Sequence, residues 1–194
     1  MSDHQHPFSV IIPAAGNSNR MGSSKLFLHL ANGQTFAESL LSGYYGYGAT
    51  PVILVINESV DPEKINAGSA ICIINEHTEY GRSYSIKLGI QHIPAGHACF
   101  IQNVDNPFAG PELLDQLLLN LKDDSYVIPV HGNKGGHPVL LGTNIVSELA
   151  GIDSLFDFRE VLKNFARIEV PWNDPAVLLN INTREDYLKF LGRK

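Results

Sequence analysis

Between Pro13 and Lys25 the chain reads PAAGNSNRMGSSK. Ala14, Ala15 and Gly16 carry almost no side chain, so the backbone there can approach a flat base or a phosphate closely and offer its N–H groups. Asn17, Ser18 and Asn19 lead to Arg20, and Lys25 follows after Gly22-Ser23-Ser24. Two cations on one small-residue loop make a triphosphate clamp; a solvated glycine turn with scattered charges fits the same letters. The loop is not a Walker A motif, because five residues separate Gly16 from Gly22 and no Gly-Lys-Ser/Thr follows.

Three further places carry usable chemistry. In ACFIQNVDNPF, Asp105 stands where an apolar strand ends. One carboxylate there suffices to recruit magnesium, which takes one or two carboxylates together with phosphate oxygens and water; a turn aspartate capping a helix is the plainer alternative. The run from Glu79 to Ile90 reads as a turn entering an amphipathic helix, with Arg82, Ser83 and Ser85 near its start. Such ends suit an anion or a polar base edge, and an ordinary N-cap serine fits as well. Gly135-Gly136-His137-Pro138 opens a strand, its glycines leaving room for a ligand and its histidine able to bind an anion or donate a hydrogen bond. The other seven histidines have no spacing that supports zinc.

These residues need a scaffold, and the apolar pattern supplies one. Runs rich in Ile and Val recur at FSVIIP near residue 10, PVILVIN from Pro51, AICIIN from Ala70, ACFIQNV from Ala98, YVIPV from Tyr126, HPVLL from His137 and VLLNIN from Val177, and predict buried strands. Helical spacing separates several of them, most clearly in GPELLDQLLLNL, where Leu113, Leu114, Leu117, Leu118 and Leu121 share a face. Thr35 with Glu38 and Thr183 with Asp186 have the spacing of capping boxes. The expectation is a single α/β domain over residues 1–194, a Rossmann-like three-layer sandwich with a mostly parallel mixed sheet and ligands bound beyond the carboxyl ends of its strands.

With 14 Lys and Arg against 20 Asp and Glu, the net charge of −6 argues against nucleic acid as the main partner. No apolar run reaches the roughly 18 to 20 residues of a membrane helix, and the start lacks the pattern of a secretory signal. Cys72 and Cys99, each inside an apolar run, read as two buried thiols of a reducing cytoplasm. A serine hydrolase is set aside because no Gly-x-Ser-x-Gly elbow occurs.

The run Ala14-Ala15-Gly16-x-Ser18-x-Arg20-Met21-Gly22-x-x-Lys25 resembles the signature loop of nucleotidyltransferases of the molybdenum cofactor cytidylyltransferase and guanylyltransferase type, within the nucleotide-diphosphosugar transferase fold. Asp105-Asn106-Pro107 with Pro111-Glu112 resembles the family's metal-binding segment, Gly81 to Ser85 its base-reading segment, Gly136-His137-Pro138 the segment facing the second substrate, and Leu179 to Tyr187 its closing motif. The resemblance implies a magnesium-dependent transfer of a nucleoside monophosphate to a phosphorylated acceptor, with release of pyrophosphate. It places Arg20 and Lys25 on the triphosphate, Asp105 on Mg2+, and Ala14, Ala15, Gly16, Ser18, Arg82 and Ser85 around the nucleotide. His137 falls to the acceptor, and Asn180 or Asn182 to a second metal contact. Paired alanines point to CTP, molybdopterin is the implied acceptor, and an enzyme that uses the product is a candidate partner. A sugar- or polyol-phosphate acceptor and an inactive nucleotide-binding module are the alternatives. Three departures stand out: Pro13 for the usual leucine, Val104 for the glycine before the aspartate, and asparagines at 180 and 182 for aspartates.

Overall fold

A computed structural model describes residues 7–16 and 24–192. Ser18 and Arg20 lie outside the described residues, so the nucleotide roles expected of them have no structural counterpart below.

The chain begins with β1 (Phe8–Pro13), α1 (Phe36–Tyr47), β2 (Val52–Asn57), β3 (Ile71–Asn75), α2 (Gly81–Ile90), β4 (Ala98–Ile101) and α3 (Pro111–Leu119). It continues through β5 (Ser125–His131), β6 (Lys134–Gly135), β7 (Val139–Leu141), α4 (Thr143–Ala150), α5 (Phe158–Leu162), β8 (Ala166–Pro171) and α6 (Arg184–Leu191). The sheet runs β3-β2-β1-β4-β7-β5. Pairing is parallel from β3 to β4 and between β5 and β8, and antiparallel where β7 meets β4 and β5. This is the mostly parallel mixed sheet that the apolar runs predict.

Side chains alternate across the sheet with the two-residue period of a strand. Val10 and Ile12 of β1, Leu54 and Ile56 of β2 and Phe100 of β4 join one core with α1 and α3. Ile11, Ile53, Val55 and Ile101 join a second core on the opposite face, against α2, α4 and α5. Both capping boxes form, with Thr35 and Glu38 at the start of α1 and Thr183 and Asp186 at the start of α6. In α3, Leu113, Leu114 and Leu117 are buried, while Leu121 lies past the end of the helix and packs on the same core.

Two expectations are corrected. VLLNIN is not a strand: Pro175–Leu178 is a 3-10 turn, and the chain beyond it runs extended outside the sheet. Its apolar residues instead pack Val177 and Ile181 into the core. The strand on that side is Ala166–Pro171, whose largely exposed edge position accommodates the Arg167–Glu169 ion pair at 2.7 Å and hides the apolar signal. Cys72 is half-buried and only Cys99 is fully buried, because Cys72 sits on β3 at the edge of the sheet. Among the described residues, no helix is long and apolar enough to cross a membrane.

Candidate active site

A cleft of about 200 Å³ opens beyond the carboxyl ends of β1 and β4. Ala14, Ala15, Gly16, Lys25, Asn75, Arg82, Ser85, Asn103 and Asp105 all line it, so pieces far apart in sequence meet at the rim where an α/β sheet binds its ligands.

The first loop leaves β1 under tight control. The Ala14 N–H donates to the Val55 carbonyl at 2.7 Å, and the buried Asn57 amide donates to the Ala15 carbonyl at 3.3 Å. Pro13 does not disturb this. Alternate N–H groups of a strand face opposite neighbours, so position 13 faces β4, whose pairing with β1 ends one step earlier at Ile11 with Ile101. The last bond on that side is the Gln102 N–H on the Ile11 carbonyl at 3.0 Å, and the ladder stops where Pro13 has no N–H to donate.

On the α2 side, Gly81 has φ of 74°, a left-handed conformation in which a side chain would be strained. Ser85 lies one turn into the helix and is not an N-cap; the N-cap residue, Tyr80, makes no side-chain cap. The Ser85 hydroxyl is buried and accepts from Asn75 Nδ2 at 3.0 Å, while Asn75 Oδ1 accepts from the His77 N–H at 2.8 Å. With its oxygen held by Asn75, Ser85 keeps its own O–H for a group in the cleft.

Across the cleft, Lys25 Nζ donates to Asn182 Oδ1 at 2.6 Å and to Asp105 Oδ2 at 3.3 Å. The Lys25 and Asp105 side chains are 17% and 19% exposed, so this ion pair is only partly screened by water. Asp105 Oδ1 is buried and has no hydrogen-bond partner among the described residues. A bare carboxylate oxygen is costly unless a cation or donor completes it. The Asp105 carbonyl accepts from the Ile181 N–H at 2.9 Å, which docks the closing motif against this loop. Asn182 thus reaches the group, but Asn180 does not: its amide donates to the Leu178 carbonyl at 3.4 Å, and it lines a separate hollow beside α6.

Asn106, to which the sequence reading gives no role of its own, does the docking. Its buried Nδ2 faces the carbonyls of Ala176, Val177 and Leu179 at 3.1, 3.1 and 2.7 Å. Buried Gln102 fixes Asn106 in turn, donating to its carbonyl at 2.6 Å and accepting from the Tyr44 hydroxyl at 3.0 Å. Val104 replaces a glycine by packing its side chain into the core.

The Gly136-His137 segment also differs from expectation. A Cβ on Gly136 would stand 2.5 Å from the Val177 carbonyl oxygen, so this glycine admits the neighbouring chain and not a ligand. His137 is half-buried behind Asn103, its N–H on the Val177 carbonyl at 2.9 Å and its Nε2 2.8 Å from Asn103 Nδ2. Burial, and then the charges of Arg82 and Arg159, push its pKa down to about 4, so the ring is neutral near pH 7. Asn103 Oδ1 accepts from Arg82 Nε at 2.9 Å. Desolvation lowers the Arg82 guanidinium to about 10, which leaves it cationic. Lys87 of α2 donates to the carbonyls of Ile152, Asp153 and Ser154 and holds the loop leading into α5. Asn57, Asn75, Asn103 and Asn106 were missed because a lone asparagine beside a turn has no pattern of its own; each ends or follows a strand, which is the signal available.

With this geometry in view, the sequence matches the MobA-like NTP transferase domain over residues 10–169. The chain belongs to this family. A relative from Escherichia coli (strain K12), named molybdenum cofactor cytidylyltransferase, is 23% identical over 181 residues, 92% of each chain. Among solved structures, a nucleotidyl transferase from Methanothermobacter thermautotroptrophicus is similar with a TM-score of 0.78 and 20% identity, covering 94% of this chain and 95% of that one. The 2-C-methyl-D-erythritol 4-phosphate cytidylyltransferase of Thermus thermophilus shares the fold with a TM-score of 0.69 and 18% identity, covering 95% and 97%. The MobA-like domain is therefore set in a nucleotidyltransferase fold, with the cleft at its sheet switch point.

Proposed function

We propose that the protein transfers CMP from CTP to a phosphorylated small-molecule acceptor, molybdopterin or its molybdenum-loaded form, and releases pyrophosphate. The observation that carries this reading is the convergence of Lys25, Asp105 and Asn182 at the cleft, with one buried Asp105 oxygen left unpaired among the described residues. The paired alanines of the first loop and the likeness to the E. coli cytidylyltransferase support the choice of base and acceptor.

The donor set fits magnesium. Asp105 and Asn182 offer hard oxygens, and no group of three or more His, Cys, Asp or Glu among the described residues makes a self-sufficient cage. A hard cation held here would depend on the nucleotide's phosphates for its remaining ligands. When bound, the ion supplies charge neutralisation at the phosphates and orients them. The protein does the rest by position. Ala14 to Gly16 present backbone to the nucleotide, and Ser85 gives its O–H to the base edge. Asp105 and Asn182 would hold the ion, and Lys25, which bonds both of them here, would turn to the triphosphate and balance charge on the departing pyrophosphate. An oxygen of the acceptor phosphate bonds to the α-phosphorus, and the bond from that phosphorus to the bridging oxygen breaks. Pyrophosphate leaves with the electron pair, so no side-chain nucleophile is needed.

The direct test is incubation of the protein with α-labelled CTP and Mg2+ in the presence of molybdopterin, or separately of a polyol phosphate. Labelled CMP appearing on molybdopterin with one pyrophosphate released per transfer is the expected outcome. Transfer to the polyol phosphate alone would move the assignment to that acceptor class, and no transfer to either would defeat the reading.

A further inference from the structure

The bank of the cleft facing Lys25 contains a cationic group for which the nucleotide has no evident use. Arg82 is held from two sides: its Nε donates to Asn103 Oδ1 at 2.9 Å, and its guanidinium carbon lies 5.7 Å over the Phe158 ring. The Phe158 N–H donates to Ser83 Oγ at 3.0 Å, which ties α5 to the start of α2 beneath this guanidinium. With Asn103 Oδ1 engaged as acceptor, its amide Nδ2 must be the group facing His137 Nε2. His137 accepts there and carries its proton on Nδ1. Arg159, exposed and next in sequence to Phe158, lies close enough to act electrostatically on both Arg82 and His137.

Among the described residues, neither Arg82 nor Arg159 is ion-paired, and the remaining Arg82 N–H groups have no acceptor. Asp105 offsets part of the Arg82 charge from a distance without pairing with it, and the two guanidiniums still repel each other beside a histidine kept neutral. A planar fork of free N–H groups matches a phosphate, which accepts two parallel hydrogen bonds from arginine. We propose that Arg82 and Arg159 form the subsite for the acceptor's phosphomonoester, and that Asn103 is the positioning residue that aims Arg82 and fixes the His137 tautomer behind it. This inference rests on the nucleotidyl-transfer reading and deepens it. It moves Arg82 from the nucleotide, where the sequence puts it, to the second substrate, and adds Arg159. An attacking phosphate dianion must approach a triphosphate that is already strongly negative, and cations in addition to Lys25 reduce that penalty.

The test uses the full chain with Mg2+ and a saturating CTP analogue whose α–β bridge is methylene, titrated with inorganic phosphate and followed by calorimetry and by the Nε–H signals of arginine. Arg82→Gln and Arg159→Gln should each weaken phosphate binding about tenfold or more while changing analogue affinity less than about twofold. Asn103→Leu should weaken phosphate binding several-fold and convert the ¹⁵N signature of His137 from the Nδ1–H tautomer to a mixture, a change that loss of packing alone does not produce. Phosphate binding unchanged in both arginine variants overturns the subsite. Analogue binding that falls as far as phosphate binding returns Arg82 to the nucleotide and also overturns it. A parent protein that takes up no analogue overturns the nucleotidyl-transfer reading itself, and the acceptor assignment with it.

Discussion

Part of the cleft wall is backbone and buried neutral groups, and part is charge. Ala14, Ala15 and Gly16 leave β1 with the Ala14 N–H and Ala15 carbonyl already bonded to β2, and Ser85 rests on buried Asn75. Opposite them, Lys25, Asp105 and Asn182 meet from three distant parts of the chain and leave one oxygen unsatisfied among the described residues. A stretch of wall held by buried neutral hydrogen bonds is rigid and reads shape. A charged bank with an open valence is one that a ligand must complete, and its members are free to exchange partners when it does.

The difference can be broken at the charged bank first. Asp105→Asn keeps the shape and an oxygen but removes the charge, and turnover in the labelled-CTP assay should fall about a thousand-fold, roughly 4 kcal/mol, with thermal unfolding nearly unmoved. Next comes the connection between the banks and the closing motif. Asn106→Ala strands three carbonyls and should cost about 3 kcal/mol in denaturant unfolding, with hydrogen exchange accelerated at His137 and Leu179. Fast exchange confined to the chain ends would mean that Asn106 does not hold this segment.

His137 sharpens the comparison through pH. Its pKa is about 4 in the folded chain against an ordinary 6.5, so between those values the unfolded chain binds the extra proton and the folded chain does not. Stability should therefore fall as pH drops from 6.5 to 4, by about 2 kcal/mol from this residue, and His137→Gln should flatten that slope. Lys25→Met should weaken CTP binding about tenfold, with little effect on cytidine. The same variant should bind Mn2+ more tightly than the parent when no nucleotide is present, because the ammonium no longer competes for Asp105 and Asn182. Smallest is Ser85→Ala, which leaves the Asn75 amide without its partner and should cost about 1 kcal/mol together with some base discrimination.

What was legible in the sequence follows the same division. Strands β1, β2 and β4 announce themselves because both faces are buried, and the two capping boxes because four residues suffice to make them. Asp105 and Lys25 were legible through their motifs, and the cleft brings them together. The half beyond α3 was harder. β7 shows in HPVLL, but β6 is a two-residue strand on the same edge of β5, and β8 takes the other edge with most of its side chains in water, so those two show no continuous apolar run. Val177 to Asn182 has a strand's composition, yet its polar partners are Asn106 and the backbone of Asp105 and His137 instead of a neighbouring strand. Nothing local specifies such bonds, because they depend on where Gln102 and Asn106 come to lie once the sheet has formed. Gly136 shows the same point, being required by the close passage of Val177 and not by a ligand.

The central claim is that this cleft binds a nucleoside triphosphate together with magnesium, and thermal unfolding of the purified chain with Mg2+ and each of the four ribonucleoside triphosphates tests it without any acceptor. At about 100 times its dissociation constant a ligand adds about 2.7 kcal/mol, a rise of roughly 5 to 10 °C for a chain of this size. The account predicts that rise with CTP, its loss when magnesium is withdrawn, and a much smaller one with the other three. Equal melting temperatures with and without every nucleotide would contradict it.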